Sequence, residues 1–174
     1  MSKAYSSLAA ALLLAATSAC AQETTRKSQL GVVTQWIAGT KVEITYRRPV
    51  ARGRELFGAL VPYGRMWTPS ADSAARLSTS GPIHINGKAL PAGTYSLWAI
   101  PDSASWSLIV NRNAVLFHLA VPTSGEVLRV DAKPERGEHV ETLMFAFPMT
   151  DADSARLELR WGTTVVPFTI KAGD

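Results

Sequence analysis

Residues Lys41-Val42-Glu43-Ile44-Thr45-Tyr46 alternate strictly: Val42, Ile44 and Tyr46 share one face, Lys41, Glu43 and Thr45 the other. That two-residue period marks a half-buried strand, and it recurs along the chain at short intervals. Val32–Ile37 precedes the run across Ala38-Gly39-Thr40, so the two predict a hairpin. Further runs are Ala75–Ser80, Ile83–Asn86, Thr94–Ile100, Trp106–Val110, Val127–Ala132, Thr142–Phe147, Arg156–Trp161 and Val165–Ile170. Asn86-Gly87 is a tight-turn pair, and Gly162 with two threonines reads as a turn joining the last two runs in another hairpin. Only Glu55–Val61 and Ala114–Ala120 suggest helix, each about two turns at most. No βαβ rhythm is present. The expected fold is all-β, a single antiparallel β-sandwich, jelly-roll-like, of about nine or ten short strands with at most two short helical turns.

The N-terminus reads differently. Lys3 precedes the apolar run Leu8–Ala16, which is followed by Thr17-Ser18-Ala19-Cys20. A charged start, a short apolar stretch and small residues form a secretory signal, and the stretch is too short to span a bilayer. Cys20 is the only cysteine, so no intramolecular disulfide can form. Thr17–Cys20 resembles a bacterial lipobox, with Thr17 where leucine is usual. Acylation of Cys20 would hold the domain on a membrane surface, whereas cleavage after Ala21 would release a soluble protein. The expected organisation is a signal peptide over 1–19, a polar tether over 20–29 and a β-sandwich over 30–174.

Removing residues 1–19 lowers the net charge of +4 by one, a balance that gives no footprint for nucleic acid. His84, His118 and His139 lack ligand spacing, and no metal or other cofactor is expected. No Gly-x-Ser-x-Gly elbow or phosphate-binding glycine loop is present, and Asp151 and Asp153 read as a polar turn. Trp36, Trp98, Trp106 and Trp161 fall in strand runs and are expected to pack. Trp67 lies outside any strand.

Residues 47–67, RRPVARGRELFGALVPYGRMW, are the most informative stretch. Arg47, Arg48, Arg52, Arg54 and Arg65 stand beside one acid, Glu55, and Pro49, Gly53, Gly58, Pro62 and Gly64 break any regular element. A shaped loop of that length is often functional, and arginine holds carboxylates and phosphates through paired hydrogen bonds. Arginine donors also satisfy loop carbonyls, with Phe57, Leu60 and Val61 pinning the loop and Tyr63 and Trp67 covering an open end of the core. The structural role is the simpler one, and both fit different arginines.

Tyr46-Arg47-Arg48-Pro49, Gly53-Arg54-Glu55-Leu56-Phe57-Gly58, Leu60-Val61-Pro62-Tyr63-Gly64 and Trp67, then Leu90-Pro91-Ala92-Gly93-Thr94-Tyr95-Ser96-Leu97 and Ile100-Pro101, resemble the bacterial domain-of-unknown-function 2911 family. The blocks keep that family's order from about Leu30 to the C-terminus. The resemblance implies an exported bacterial domain and brings no activity with it. The family typically continues its tryptophan as Trp-Arg-Thr-Gly-Ala-Asn, whereas this chain reads Trp67-Thr68-Pro69-Ser70-Ala71-Asp72. Asp72 is placed to pair with Arg54 or Arg65. Residues 111–126 also lack the family's frequent Trp-Gly pair.

The expectation is an exported, periplasmic or outer-envelope lipoprotein, or alternatively a soluble secreted protein. It would act as a non-catalytic binding or structural module for an anionic or carbohydrate envelope ligand. Arg48, Arg54 and Arg65 are the candidate binding residues, with Tyr63 or Trp67 stacking and Asp72 beside them. The alternative is an envelope hydrolase in which Asp72 meets His118 or His139 near the same loop. An exposed sheet edge used for protein interaction is a third reading.

Overall fold

The computed structural model describes residues 27–173. The signal peptide, Cys20 and most of the tether lie outside the described residues. Ten strands form two antiparallel sheets, with no helix among the described residues. The strands are β1 (Gln29–Ile37), β2 (Thr40–Arg48), β3 (Ala75–Thr79), β4 (Ile83–Ile85), β5 (Lys88–Leu90), β6 (Gly93–Ile100), β7 (Trp106–Asn111), β8 (Glu126–Ala132), β9 (Glu135–Thr150) and β10 (Ser154–Ala172). The six-stranded sheet runs β1-β2-β3-β6-β7-β8 and the four-stranded sheet β5-β4-β10-β9. The chain crosses between layers after β3, β5 and β8.

The alternation seen in the sequence sets the layers. Val42, Ile44 and Tyr46 of β2 are buried against Leu143, Phe145, Leu157 and Leu159 of the second sheet. Tyr46 spans the layers: its ring meets Phe145 edge-on at 4.9 Å, and its hydroxyl accepts the Phe145 amide at 3.0 Å. Ala38 and Gly39 take positive φ in the predicted β1–β2 turn, as do Asn86 and Gly87 between β4 and β5. The Asn86 side chain also donates to the Asp131 carbonyl at 2.9 Å, and Lys88 Nζ donates to the Arg129 carbonyl at 2.8 Å. Those two bonds tie the turn and β5 to the β8 edge of the other sheet.

Four local expectations are corrected. Arg156–Trp161 and Val165–Ile170 are not a hairpin but one strand, β10, in which Gly162 at φ +58° sits among register shifts against β9. The residues between the two runs form a bulge, which curls the strand instead of reversing it. Glu55–Val61 closes as turns, with Gly58 N–H bonded to the Val61 carbonyl. Ala114–Ala120 is not helical: an irregular run to Phe117 ends in one turn, with the Ala120 amide bonded to the Phe117 carbonyl at 2.9 Å, and Leu116 turns inward while Val115, Phe117 and Leu119 turn outward. Among the strand tryptophans, Trp98, Trp106 and Trp161 are buried, but Trp36 is 61% exposed. It lies on the outer face of an edge strand that no other element covers.

Candidate binding cleft beneath the 49–67 flap

The chain leaves β2 at Arg48 and passes to the other sheet. The Leu143 amide bonds to the Pro49 carbonyl at 2.9 Å and the Ala51 amide to the Glu141 carbonyl at 2.8 Å, with Val50 bridging Thr142 of β9. Arg52 and Gly53 then turn the chain at positive φ. Arg54 locks that turn: Nε donates to the Ala51 carbonyl at 2.8 Å and Nη2 to the Val50 carbonyl at 2.7 Å. Glu141 holds the same corner from below. Its Oε1 accepts the Arg52 amide at 2.6 Å, and its Oε2 lies 3.1 Å from His139 Nε2. The Arg52 amide foremost, then His139, holds the Glu141 carboxyl below the usual range.

Leu56 and Phe57 then enter the open end of the sandwich. Phe57 meets Trp106 edge-on at 4.7 Å and Trp161 at 6.1 Å, while Trp67 stacks on Trp161 at 6.1 Å with only 10° between planes. Edge-on and offset pairs of this kind add about 0.5–1.5 kcal/mol each beyond area burial. Gly58, at φ +94°, lets the Tyr63 ring come within 2.9 Å of where a Cβ would stand. The flap returns to the six-stranded sheet through the Gly64 amide to the Pro101 carbonyl and a mutual Trp67–Ala99 pair at 2.8 and 2.7 Å. Buried Thr68 then donates to the Leu97 carbonyl and accepts the Ala75 amide.

Between this flap and the bulge of β10 lies a cleft with two lobes. The first, about 370 Å³, is lined by Arg54, Phe57, Tyr63, His139, Trp161 and Thr163 among others. The second, about 260 Å³, adds Asp102, Ser103, Trp106, Glu135 and Arg136. Phe57, Tyr63, Thr163 and Thr164 border both. The cleft therefore has an aromatic floor and a rim of hydroxyls and charges of both signs. Gly162 shapes it, since a Cβ there would stand 2.9 Å from Leu56 Cδ1.

Of the residues the sequence pointed to, Arg54 and Tyr63 line the cleft. Trp67 stacks behind Trp161 and lines neither lobe. The Arg48 Nε donates to the Leu143 carbonyl at 3.2 Å, stitching the layers, and Arg65 is exposed outside both lobes. Asp72, at φ +62°, lies at a different seam, where its carbonyl accepts the His118 amide at 3.4 Å. Asp72 and His139 thus do not share the cleft. The sequence reading offered His139 only in the hydrolase alternative, and it missed Thr163, Thr164, Glu135, Arg136 and Asp102. The one available signal was the Gly-Thr-Thr break inside an apolar strand, which also denotes a bulge. Among the described residues no group of three metal-ligating side chains occurs, and no helix is long and apolar enough to cross a membrane.

A family model described as a protein of unknown function, DUF2911, matches residues 28–170. The chain belongs to this family. The matched span covers the flap, both lobes of the cleft and all but the last residues of β10. No curated protein and no solved structure matches the chain.

Proposed function

We propose that this member of the family is an exported cell-envelope module that binds a polyhydroxylated ligand, such as an envelope glycan, in the two-lobed cleft. The carrying observation is the pairing of an exposed aromatic, Tyr63, set beside Phe57 over buried Trp161, with Thr163, Thr164 and Ser103 around the rim. Apolar ring faces stack on the flat faces of sugars, and hydroxyl rims exchange hydrogen bonds with them. A multiply anionic ligand is less well served. Arg54 already gives donors to two carbonyls, Arg48 and Arg65 do not reach the cleft, Glu135 is paired with Arg156 at 2.6 Å, and Asp102 shares the second lobe with Arg136.

Export rests on the signal-like Lys3 to Cys20 segment, and anchoring rests on acylation of Cys20. Intact mass of the exported protein tests both: an acyl increment that disappears in Cys20→Ser supports anchoring, and an unprocessed chain contradicts export. For the cleft, the full chain is titrated with a soluble N-acetylglucosamine oligosaccharide and, separately, with inorganic polyphosphate, while the tryptophan indole N–H signals are followed. The oligosaccharide is expected to shift Trp161 and its neighbours, and Tyr63→Ala is expected to abolish the shift without lowering the melting temperature. Saturable polyphosphate binding with no response to sugar would contradict the polyhydroxylated ligand. Shifts confined to residues outside the cleft would contradict the site.

A further inference from the structure

A second segment without regular structure, residues 112–125, shows solvent what the flap hides. Val115, Phe117 and Leu119 are 87%, 58% and 71% exposed, and Val121 is also exposed. They project outward because Leu116, between them, turns in to cover Trp98, Ile109 and Ala74 on the outer face of the six-stranded sheet. Between its roots at Arg112 and Gly125 the segment is tied to the 72–74 seam by the Ala74 amide to the Leu116 carbonyl and the His118 amide to the Asp72 carbonyl. Beside it a groove of about 160 Å³ is lined by Val115, Leu30, Arg47 and Arg76. Register places Leu30 opposite Arg47, and Thr45 opposite both Val32 and Arg76. Leu30 and Val32 are themselves exposed. The result is an apolar ridge and an apolar strand face separated by two guanidinium groups, whose side chains make no hydrogen bond to the described residues.

We propose that this face is a lipid-docking surface: Val115, Phe117 and Leu119 enter the interface of an anionic membrane leaflet while Arg47 and Arg76 contact its phosphates. Protruding apolar side chains flanked by cations are the composition that holds a protein in the plane of a bilayer interface. Two observations select lipid over other occupants. A second copy seated on this groove with its two-fold axis at the arginines would bring those cations against their own symmetry mates. The chain also enters the fold at this face, since Leu30 follows the polar tether, and ten residues from Cys20 reach at most about 33–36 Å. A chain held at Cys20 therefore keeps this face near the membrane, and the surface does not depend on acylation to work.

Because Cys20 is the only cysteine, the full chain carrying Cys20→Ser and Leu119→Cys takes one environment-sensitive fluorophore at position 119. A second chain carrying Cys20→Ser and Thr169→Cys places the same label on the exposed outer face of the four-stranded sheet. Vesicles of phosphatidylcholine and phosphatidylglycerol in equal parts are expected to shift the emission to the blue at 119 and leave 169 unchanged. Phe117→Ser should weaken the response, and Arg47→Ser and Arg76→Ser should each lower partitioning about fivefold, the equivalent of roughly 1 kcal/mol per surface cation. Pure phosphatidylcholine should give a weaker response. Cosedimentation without a shift at 119 would overturn the proposal, since the apolar 8–16 segment alone would then hold the chain. Equal shifts at both positions, or a concentration-dependent shift without vesicles that marks self-association, would overturn it as well.

Discussion

Between Pro49 and Met66, and again between Arg112 and Gly125, the chain runs outside any strand and carries arginine beside large apolar residues. The first segment is bonded into both sheets through Pro49, Ala51, Gly64 and Trp67, and it sends Leu56 and Phe57 into the core. The second is held at its 72–74 seam and at its root, where the Arg112 amide meets the Gly125 carbonyl. It keeps one large apolar side chain inside, Leu116, and turns four out, Val115, Phe117, Leu119 and Val121. The difference is one of turns and anchorage. Glycines at positive φ let the flap fold back on itself, whereas the 112–125 segment makes a single turn at 117–120 and shows Val115, Phe117 and Leu119 to water. Similar composition thus serves a wall in one case and a contact surface in the other.

Substitutions can break that contrast. The largest effect is expected at Trp161, where the flap's Phe57 and Trp67 both pack. Trp161→Ala should cost about 3–5 kcal/mol in denaturant unfolding and leave the flap without a floor. Arg54→Ala should cost about 1 kcal/mol, the typical worth of hydrogen bonds left unmade at a partly wetted site. Arg54→Lys should not restore it, because a single ammonium cannot reproduce the guanidinium's two parallel donors to Val50 and Ala51. Either result reversed would place the flap nearer to the exposed segment in character.

A smaller effect is predicted with pH. The Glu141 carboxylate binds its proton less readily in the folded protein than in the unfolded chain, whose glutamates titrate near about 4.3. Its support for the Arg52 corner is therefore complete above that value and is lost as pH falls through the lowered one. Glu141→Gln should flatten the acid limb of the stability profile by slightly lowering stability at neutral pH, where the parent carboxylate is charged, and should leave stability in acid close to that of the parent. The smallest effect belongs to the other segment: Phe117→Ser and Leu119→Ser should change stability by no more than about 0.5 kcal/mol. A loss comparable to that of Trp161→Ala would mean that this ridge is part of the core after all.

The sandwich was legible because one face of each strand is buried, so its residues carry the two-residue pattern. Trp36 and the break at Gly162 show where that pattern stops informing. An aromatic in a strand run packs only if something covers its face, and a glycine followed by threonines reads as a turn whether it reverses a strand or bulges it. The cleft was half legible. Arg54 and Tyr63 announce themselves in a dense, irregular stretch, but their companions Glu135, His139 and Thr163 come from β9 and β10, far later in the chain. Nothing local in those strands shows that they curl under the flap. Arginine density was a fair guide to a built loop and a poor guide to which guanidinium faces a ligand, because backbone carbonyls engage two of them, Arg54 within the loop and Arg48 on β9.

The claim on which the rest depends is that the 49–67 flap is a bonded wall of the sandwich. Native-state hydrogen exchange, read residue by residue, tests it against the 112–125 segment in the same sample. The account predicts that the Ala51, Val61, Gly64 and Trp67 amides exchange as slowly as those of β6, while Val115, Phe117 and Leu119 exchange rapidly. Fast exchange across the flap, equal to that of the second segment, would contradict it.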